Sequence, residues 1–328
     1  MGGARVTGFI LRRLGFMAVT LFVMASAMFL LFRLLPGDPT ATVISPALHP
    51  DAQAVLRASF GLDKPLWQQY LSYVANMAQL DFGFSFQTSR PVAEMIGGRL
   101  LNTLALLLPS LIAAYLVGAL IGAFVAWRRG GWLDTLSVVV ATALQSAPVF
   151  WVGMMAILFF SLKLDLFPVG HIITPGREMA PGLAGYLDAD VLHHLALPFL
   201  VNFSYQLCFP LLLMRTSMLA TVGEDFIDLA RMKGLSERAV LLRHAMRNAL
   251  LPLATTLPML LGWAVAGSVV IETVFSWPGL GLLMVQAVER NDYPVVQACF
   301  LLSAFLTVMG TFVADLIYGL LDPRISYE

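Results

Sequence analysis

The sequence predicts an all-α polytopic membrane protein with six transmembrane helices. Three observations carry that expectation. Apolar residues make up 59% of the 328-residue chain and charged residues only 12%, about half the ~25% of a soluble domain. Mean hydropathy is +0.80, more apolar surface than a soluble globule of this size can bury. Six stretches without Asp, Glu, Lys or Arg each run 19 residues or more, enough to cross about 30 Å of hydrocarbon at 1.5 Å per residue. A soluble enzyme, a disordered chain and a disulfide scaffold are thereby excluded. With 20 basic and 20 acidic residues, no nucleic-acid partner is expected, because phosphate neutralisation needs a basic surplus.

The first span is the run 14–32, preceded by Arg12 and Arg13. That shape resembles a signal peptide, but the run is longer than a usual h-region and no small-residue cleavage site follows it. The segment 1–35 therefore reads as a tail and a retained first helix. Pro36-Gly37-Asp38-Pro39 reads as a turn at the membrane exit. Residues 36–99 form an outer segment with an amphipathic helix from Pro65 to Leu80, carrying Leu66, Trp67, Tyr70, Leu71, Val74, Met77 and Ala78 on one face.

Residues 100–320 hold the other five spans, within the runs 100–127, 135–162, 191–214, 248–271 and 293–314. Pro148 is expected to kink the third span. The run 273–288 is shorter and broken by Ser276-Trp277-Pro278-Gly279; it reads as an outer loop with a short interfacial segment. Residues 321–328 are a C-terminal tail. Placing both termini in the cytoplasm puts twelve Lys and Arg inside and seven outside.

The loop 215–250 is the sizeable cytoplasmic one. Glu224 to Gly234 reads as a short helix with acids in its first turn and bases in its last, matching the helix dipole. Gly234 is placed to end it in the left-handed conformation. Ser236 then caps a second helix, with Glu237 in its first turn. Arg243 and Arg247 share a face of that helix, which runs into span five. Two capped helices around a glycine suit a mechanical contact with another protein.

Here the sequence resembles the permease subunits of binding-protein-dependent ABC importers. Their cytoplasmic Glu-Ala-Ala motif with its later Gly corresponds to Asp228, Leu229, Ala230 and Gly234, the first two departing from the consensus. The stretches Ala230–Arg238 and Leu242–Pro252 are similar to the peptide/nickel branch. So are Leu35-Pro36-Gly37-Asp38-Pro39, Gly61 to Leu66, Gln69-Tyr70 and Asp81-Phe82-Gly83-Phe84-Ser85. Glu272 to Gly281, Asp292-Tyr293-Pro294 and Leu321-Asp322-Pro323-Arg324 complete the likeness, which covers nearly the whole chain.

The resemblance implies a type I ABC importer permease fold in a prokaryotic plasma (inner) membrane. It implies a second homologous permease subunit, two ATPase subunits carrying ATP and magnesium, and an extracytoplasmic substrate-binding protein. No cofactor is implied on this chain. Peptides are the expected substrate; nickel chelates, glutathione and oligosaccharides are carried by relatives. Asp228, Leu229, Ala230, Arg231, Lys233, Gly234 and Leu235 would form the helix seated in an ATPase groove. The residues agree on ATP in one respect: none of the three lysines, Lys64, Lys163 and Lys233, is followed by Ser or Thr, so the chain has no Gly-Lys-Ser/Thr phosphate loop.

Polar groups inside spans are costly and mark candidate pathway positions. Gln145 and Ser146 precede Pro148, while Asn202, Ser204, Tyr205 and Gln206 lie between Pro198 and Pro210. Hydrogen bonding between helices is their other reading, and it is the expected one for Asp315. His171, His193 and His194 lack the spacing of a metal site, and Cys208 and Cys299 read as small buried hydrophobes. A stand-alone secondary transporter and an intramembrane enzyme are the competing classes. The first lacks a visible repeat between halves, and the second lacks a pair of catalytic groups.

Overall fold

The computed structural model describes residues 2–34 and 64–321, without the side chains of 2–7, 9, 34, 257–267 and 314–321. The expected turn at 36–39, the Gly61–Asp63 motif and the tail beyond Leu321 lie outside the described residues. Those residues are almost entirely helical. In chain order the helices are α1 (Gly2–Leu34), α2 (Leu66–Ala78), α3 (Val92–Trp127), α4 (Trp132–Ser146), α5 (Val149–Ala156), α6 (Ala189–Val222), α7 (Asp225–Met232), α8 (Met246–Val274), α9 (Leu280–Glu289) and α10 (Tyr293–Leu321).

Four helices carry apolar windows long enough to cross a membrane: Ile10–Arg33, Val92–Trp127, Ala189–Val222 and Tyr293–Val313. The expected third span differs from a kinked helix. It is broken into Trp132–Ser146 and Val149–Lys163, bent by 101°. Pro148 disfavours the helical region for the residue before it, and Ala147 sits at φ −82°, ψ 135°. Beyond α5 the chain widens into a π-helix, Ile157–Lys163. The fifth apolar run lies in α8, whose 29 residues reach about 43 Å at 1.5 Å per residue. The second span begins at Val92, eight residues before the expected boundary at 100.

Two compact units divide the chain. One comprises the described parts of Met1–Leu101 and Gly279–Phe312; the other comprises Asn102–Pro278 with the described part of Val313–Asp322.

In the first unit α2 packs on α1. Tyr70 lies edge-on to Phe29 with centroids 5.3 Å apart, and its hydroxyl shares a 2.7 Å hydrogen bond with Ser26. The packed side is Gln69, Tyr70, Tyr73, Val74 and Met77, all half-buried, whereas Leu66, Trp67 and Leu71 are exposed. The expected apolar face is thus split between a side that packs and a side that does not. α2 and α9 end alike. Leu80 and Asn291 take positive φ, and the following residue's N–H returns to Asn76 O at 2.9 Å and to Ala287 O at 2.8 Å, the Schellman closure. After the Trp-Pro-Gly turn α9 is a short helix, and its Leu280, Leu283 and Ala287 bury against Val92, Ile96, Val295 and Cys299.

In the second unit α6 is the central helix. It packs against α4, α5 and α8. It also meets α3 almost backbone to backbone: a Cβ at Gly122 would lie 2.4 Å from Leu211 O, and one at Gly118 would lie 3.0 Å from Leu207 O. Gly118 and Gly122 form the small-xxx-small spacing that lets membrane helices approach closely. α8 closes on Phe275, with Ser276 at φ 49° and Trp277 N–H donating to Glu272 O at 2.8 Å. Trp277 is fully buried, and its indole N–H donates to Asn102 O at 2.9 Å. The Asn102 amide in turn donates to Pro278 O at 2.7 Å.

Candidate functional site

The element between α6 and α8 has the form the sequence implies. α7 is amphipathic by its i, i+3 spacing. Ile227 and Ala230 are buried, while Phe226, Asp228, Leu229, Arg231 and Met232 are exposed. Ile227 and Ala230 enter a core made by Ala119, Ala123 and Ala126 of α3 and Met214 and Met218 of α6. The small side chain of Ala230 therefore serves close packing within its own subunit. On the open side Leu229 is 48% exposed and Met232 77%.

Gly234 has φ +76°. Its N–H donates to Arg231 O at 2.9 Å, and Leu235 N–H donates to Ala230 O at 3.4 Å, closing α7 as a Schellman motif. Ser236 caps the next turn, its hydroxyl accepting from Ala239 N–H at 3.4 Å. After Glu237–Ala239 the chain passes through a π-helix, Val240–Ala245, into α8. The π segment has no signal in the sequence pattern, because its Val240 and Ala245 still face the core.

Arg231 ties this corner together. Its Nη1 donates to Asp228 at 3.2 Å and its Nε to Glu237 at 3.1 Å, across the Gly234 turn. Its guanidinium also stands 5.6 Å over the Trp127 ring at the end of α3, a cation–π geometry. The bond to Glu237 is the main reason that the guanidinium pKa is raised above its ordinary value, so the cation is always present. Lys233 is the C-cap of α7, and Leu235 is exposed beyond it.

A second ionic contact lies in the same unit. Arg215 of α6 clamps Asp134 of α4 with Nε to Oδ1 at 2.5 Å and Nη2 to Oδ2 at 3.0 Å. Asp134 also faces the Gly130 N–H at 3.4 Å. Bidentate pairing of this kind is the strong form of an ion pair. Sequence reasoning counted Arg215 only as a topogenic charge. The signal for its partner was present: Asp134 is the only acidic residue in 95–164.

The candidate pathway residues separate. Asn202 is buried and donates from Nδ2 to Ser110 Oγ at 2.7 Å, which joins α6 to α3 and is the packing reading. Gln145 and Ser146 are exposed beside the break at Pro148, the Ser146 hydroxyl donating to Thr142 O at 2.8 Å. Ser204 donates to Leu200 O at 2.6 Å, and Tyr205 and Gln206 are half-buried. Asp315 lies in α10, with its side chain outside the described residues. His193 Nε2 donates to Leu166 O at 2.8 Å, while His194 Nδ1 meets Asp190 O at 2.8 Å. Among the described residues no group of three His, Cys, Asp or Glu could hold a metal.

Two further motifs meet in the first unit. Ser85 Oγ donates to Asp292 Oδ2 at 2.5 Å, and Phe86 N–H donates to Asp292 Oδ1 at 2.9 Å. The Asp-Phe-Gly-Phe-Ser and Asp-Tyr-Pro stretches are thus two halves of one buried joint.

Comparison with known proteins places this architecture. Residues 118–327 match the binding-protein-dependent transport system inner membrane component family, and residues 6–107 match the N-terminal membrane component of such systems. The chain belongs to the binding-protein-dependent transport system inner membrane components. It is 36% identical to the dipeptide transport system permease protein DppB of Escherichia coli K12, over 98% of this chain and 99% of that one. It is 38% identical to the di/tripeptide permease DppB of Pseudomonas aeruginosa, with the same coverage. The glutathione permease GsiC of Escherichia coli K12 is 35% identical, again over 98% and 99%. As an inner membrane component of this family the chain is a multi-pass permease of an ABC importer, and not an enzyme.

Proposed function

We propose that this permease forms half of the translocation pathway of an ATP-driven importer of di- and oligopeptides. A binding protein delivers the substrate from outside, a homologous permease completes the pathway, and two separate ATPase subunits supply the energy. The termini and the 215–250 loop face the cytoplasm. The observation that carries the coupling role is the two-sidedness of α7. Ile227 and Ala230 anchor it in the chain's own core, while Leu229 and Met232 are left open to a partner. A helix held this way passes a push from an ATPase to α3, α6 and α8 as a rigid body, which is what a two-state coupling element requires. Asp228, Arg231, Lys233, Gly234 and Leu235 hold and flank that surface.

The peptide substrate rests on the dipeptide and di/tripeptide relatives, and the glutathione relative keeps a modified tripeptide as the second reading. Gln145, Ser146, Ser204, Tyr205 and Gln206 are the pathway candidates, while Asn202 is assigned to packing. The test is uptake by the complex in proteoliposomes with its binding protein, using labelled dipeptide, tripeptide and glutathione with and without ATP. ATP-dependent accumulation of dipeptide is expected. Accumulation of glutathione alone selects the second reading, and ATP hydrolysis without uptake of any of them overturns the peptide class.

A further inference from the structure

Asn102 of α3 is a hydrogen-bonding node that none of the roles above uses. It is half-buried, and three of its groups are bonded outside its own helix. Nδ2 donates to Pro278 O at 2.7 Å, the backbone O accepts the Trp277 indole N–H at 2.9 Å, and Oδ1 accepts the Tyr186 hydroxyl. Its neighbour Thr103 donates to the fully buried Glu272 carboxylate at 2.7 Å. Two adjacent residues of α3 thus hold the end of α8 and the turn that follows it. One of them also holds the 164–188 loop.

That loop is tied to the same place from its other side. His171 N–H donates to Phe275 O at 3.1 Å, and a Cβ at Gly170 would lie 2.5 Å from that oxygen. Phe167 and Ile172 pack against the core that holds Phe275 and Trp277. Thr174 donates from its N–H and its hydroxyl to Asp190 in the first turn of α6, both at 2.8 Å. The loop is therefore seated on α3, α6 and α8 together.

The same three helices hold α7 at their other ends. Ile227 and Ala230 share a core with Ala123 of α3, Met214 of α6 and Ala249 of α8. Along α3, Asn102 and Ala123 are about 32 Å apart at 1.5 Å per residue. That exceeds the ~30 Å of hydrocarbon, so the node and the seat of α7 lie at opposite ends of the span. Between them Gly118 and Gly122 bring α3 against the α6 backbone. Elements packed this closely shift as bodies rather than deform.

We propose that Asn102 is the positioning residue that makes the 164–188 loop move as one body with α3 and α8, so that the loop follows α7. The proposal rests on the importer reading above, in which the loop faces the binding protein. Docking at the loop and ATP binding beneath α7 then bias one body, which is the physical condition for coupling between two sites. Without the Asn102 side-chain bonds the loop still packs, but it shifts independently of α3.

Two measurements on the purified complex in nanodiscs test this. The first is hydrogen–deuterium exchange. Tyr186→Phe removes one bond, and Asn102→Ala removes both side-chain bonds. Exchange in 164–188 is expected to rise severalfold in the first and roughly tenfold in the second, with α7 unchanged. The second is the ATPase rate against the concentration of dipeptide-loaded binding protein. Both variants are expected to keep the basal rate and to lose maximal stimulation severalfold. Adding Tyr186→Phe to Asn102→Ala is expected to change nothing further, because the two share one bond. Unchanged loop exchange in Tyr186→Phe and in any assembled Asn102→Ala complex overturns the proposal. So does stimulation that survives a loosened loop, or a parallel fall of basal and stimulated rates, which marks general loss of stability. Faster loop exchange in complexes whose wild type ignores the binding protein supports the node and overturns the importer reading instead.

Discussion

Arg231 reaches across the Gly234 turn and donates from Nε to Glu237 at 3.1 Å, so the end of α7 and the start of the next helix are joined by one side chain. The same guanidinium holds Asp228 and covers Trp127. The corner is therefore tied both to itself and to α3. Replacing Arg231 with Gln removes the cation and both ion pairs while keeping much of the length. The expected result is several-fold slower ATP-driven uptake at normal membrane abundance, read by transport assay and immunoblot. Unchanged uptake would show that the corner holds its shape without this side chain.

Gly234→Val forces a β-branched residue into φ +76°. A side chain there costs about 1–2 kcal/mol, and the space around Gly234 is open, so the penalty is conformational and confined to the turn. Membrane insertion should survive, while substrate-stimulated ATPase activity falls. Gly234→Asn, which tolerates the left-handed region, should lie between the two.

Gly122→Leu drives a side chain into Leu211 O, 2.4 Å from where its Cβ would sit. α3 and α6 cannot keep their approach. The expected outcome is loss of folded protein or a large fall in thermal stability, whereas Gly98→Ala, which meets nothing within 4 Å, should leave stability unchanged or raise it by up to about 1 kcal/mol, the helix-propensity difference. Equal stability of the two variants would refute the close approach.

Asp134 and Arg215 should behave as a unit. Removing one partner of a partly buried, bidentate pair strands the other charge and costs about 1–3 kcal/mol. Asp134→Ala and Arg215→Ala should each destabilise the protein more than the double replacement Asp134→Leu/Arg215→Met. Single variants that melt no lower than the double replacement would show that neither charge is stranded by loss of the other.

Asp292→Ala should lower the melting temperature more than Asp292→Asn. The carboxylate accepts from both Ser85 and the Phe86 amide, and an Asn side chain keeps one acceptor. Identical melts would place no weight on this joint.

What the sequence discloses and what it hides divide along a physical line. Apolar runs, the capped turn at Ser236 and the left-handed glycine at 234 are local signals, and the structure reproduces them. Met232 and Leu229 emerge on the open side of α7 because their spacing from Ile227 and Ala230 dictates it. Long-range pairings are another matter. Nothing in a linear pattern joins Ser85 to Asp292 or Asp134 to Arg215, and the direction in which Ala230 points depends on where α3 lies. Pro148 signals an interruption, but whether it bends a helix or breaks it at 101° is decided by what packs around Ala147 and Val149. Asn202 shows the same limit: its cost in an apolar helix is legible, whereas its partner Ser110 is 92 residues away.

The most direct measurement of the central claim is site-directed cross-linking on α7 in the assembled transporter. The native cysteines, Cys208 and Cys299, are buried, so an introduced cysteine supplies the accessible thiol. With Met232→Cys, the account predicts a cross-link to an ATPase subunit whose yield changes between the nucleotide-free and ATP-bound states. Leu183→Cys, equally exposed but outside the 215–250 loop, should give none. A Met232→Cys protein that transports normally yet never cross-links to an ATPase, or does so no better than Leu183→Cys, would contradict the account.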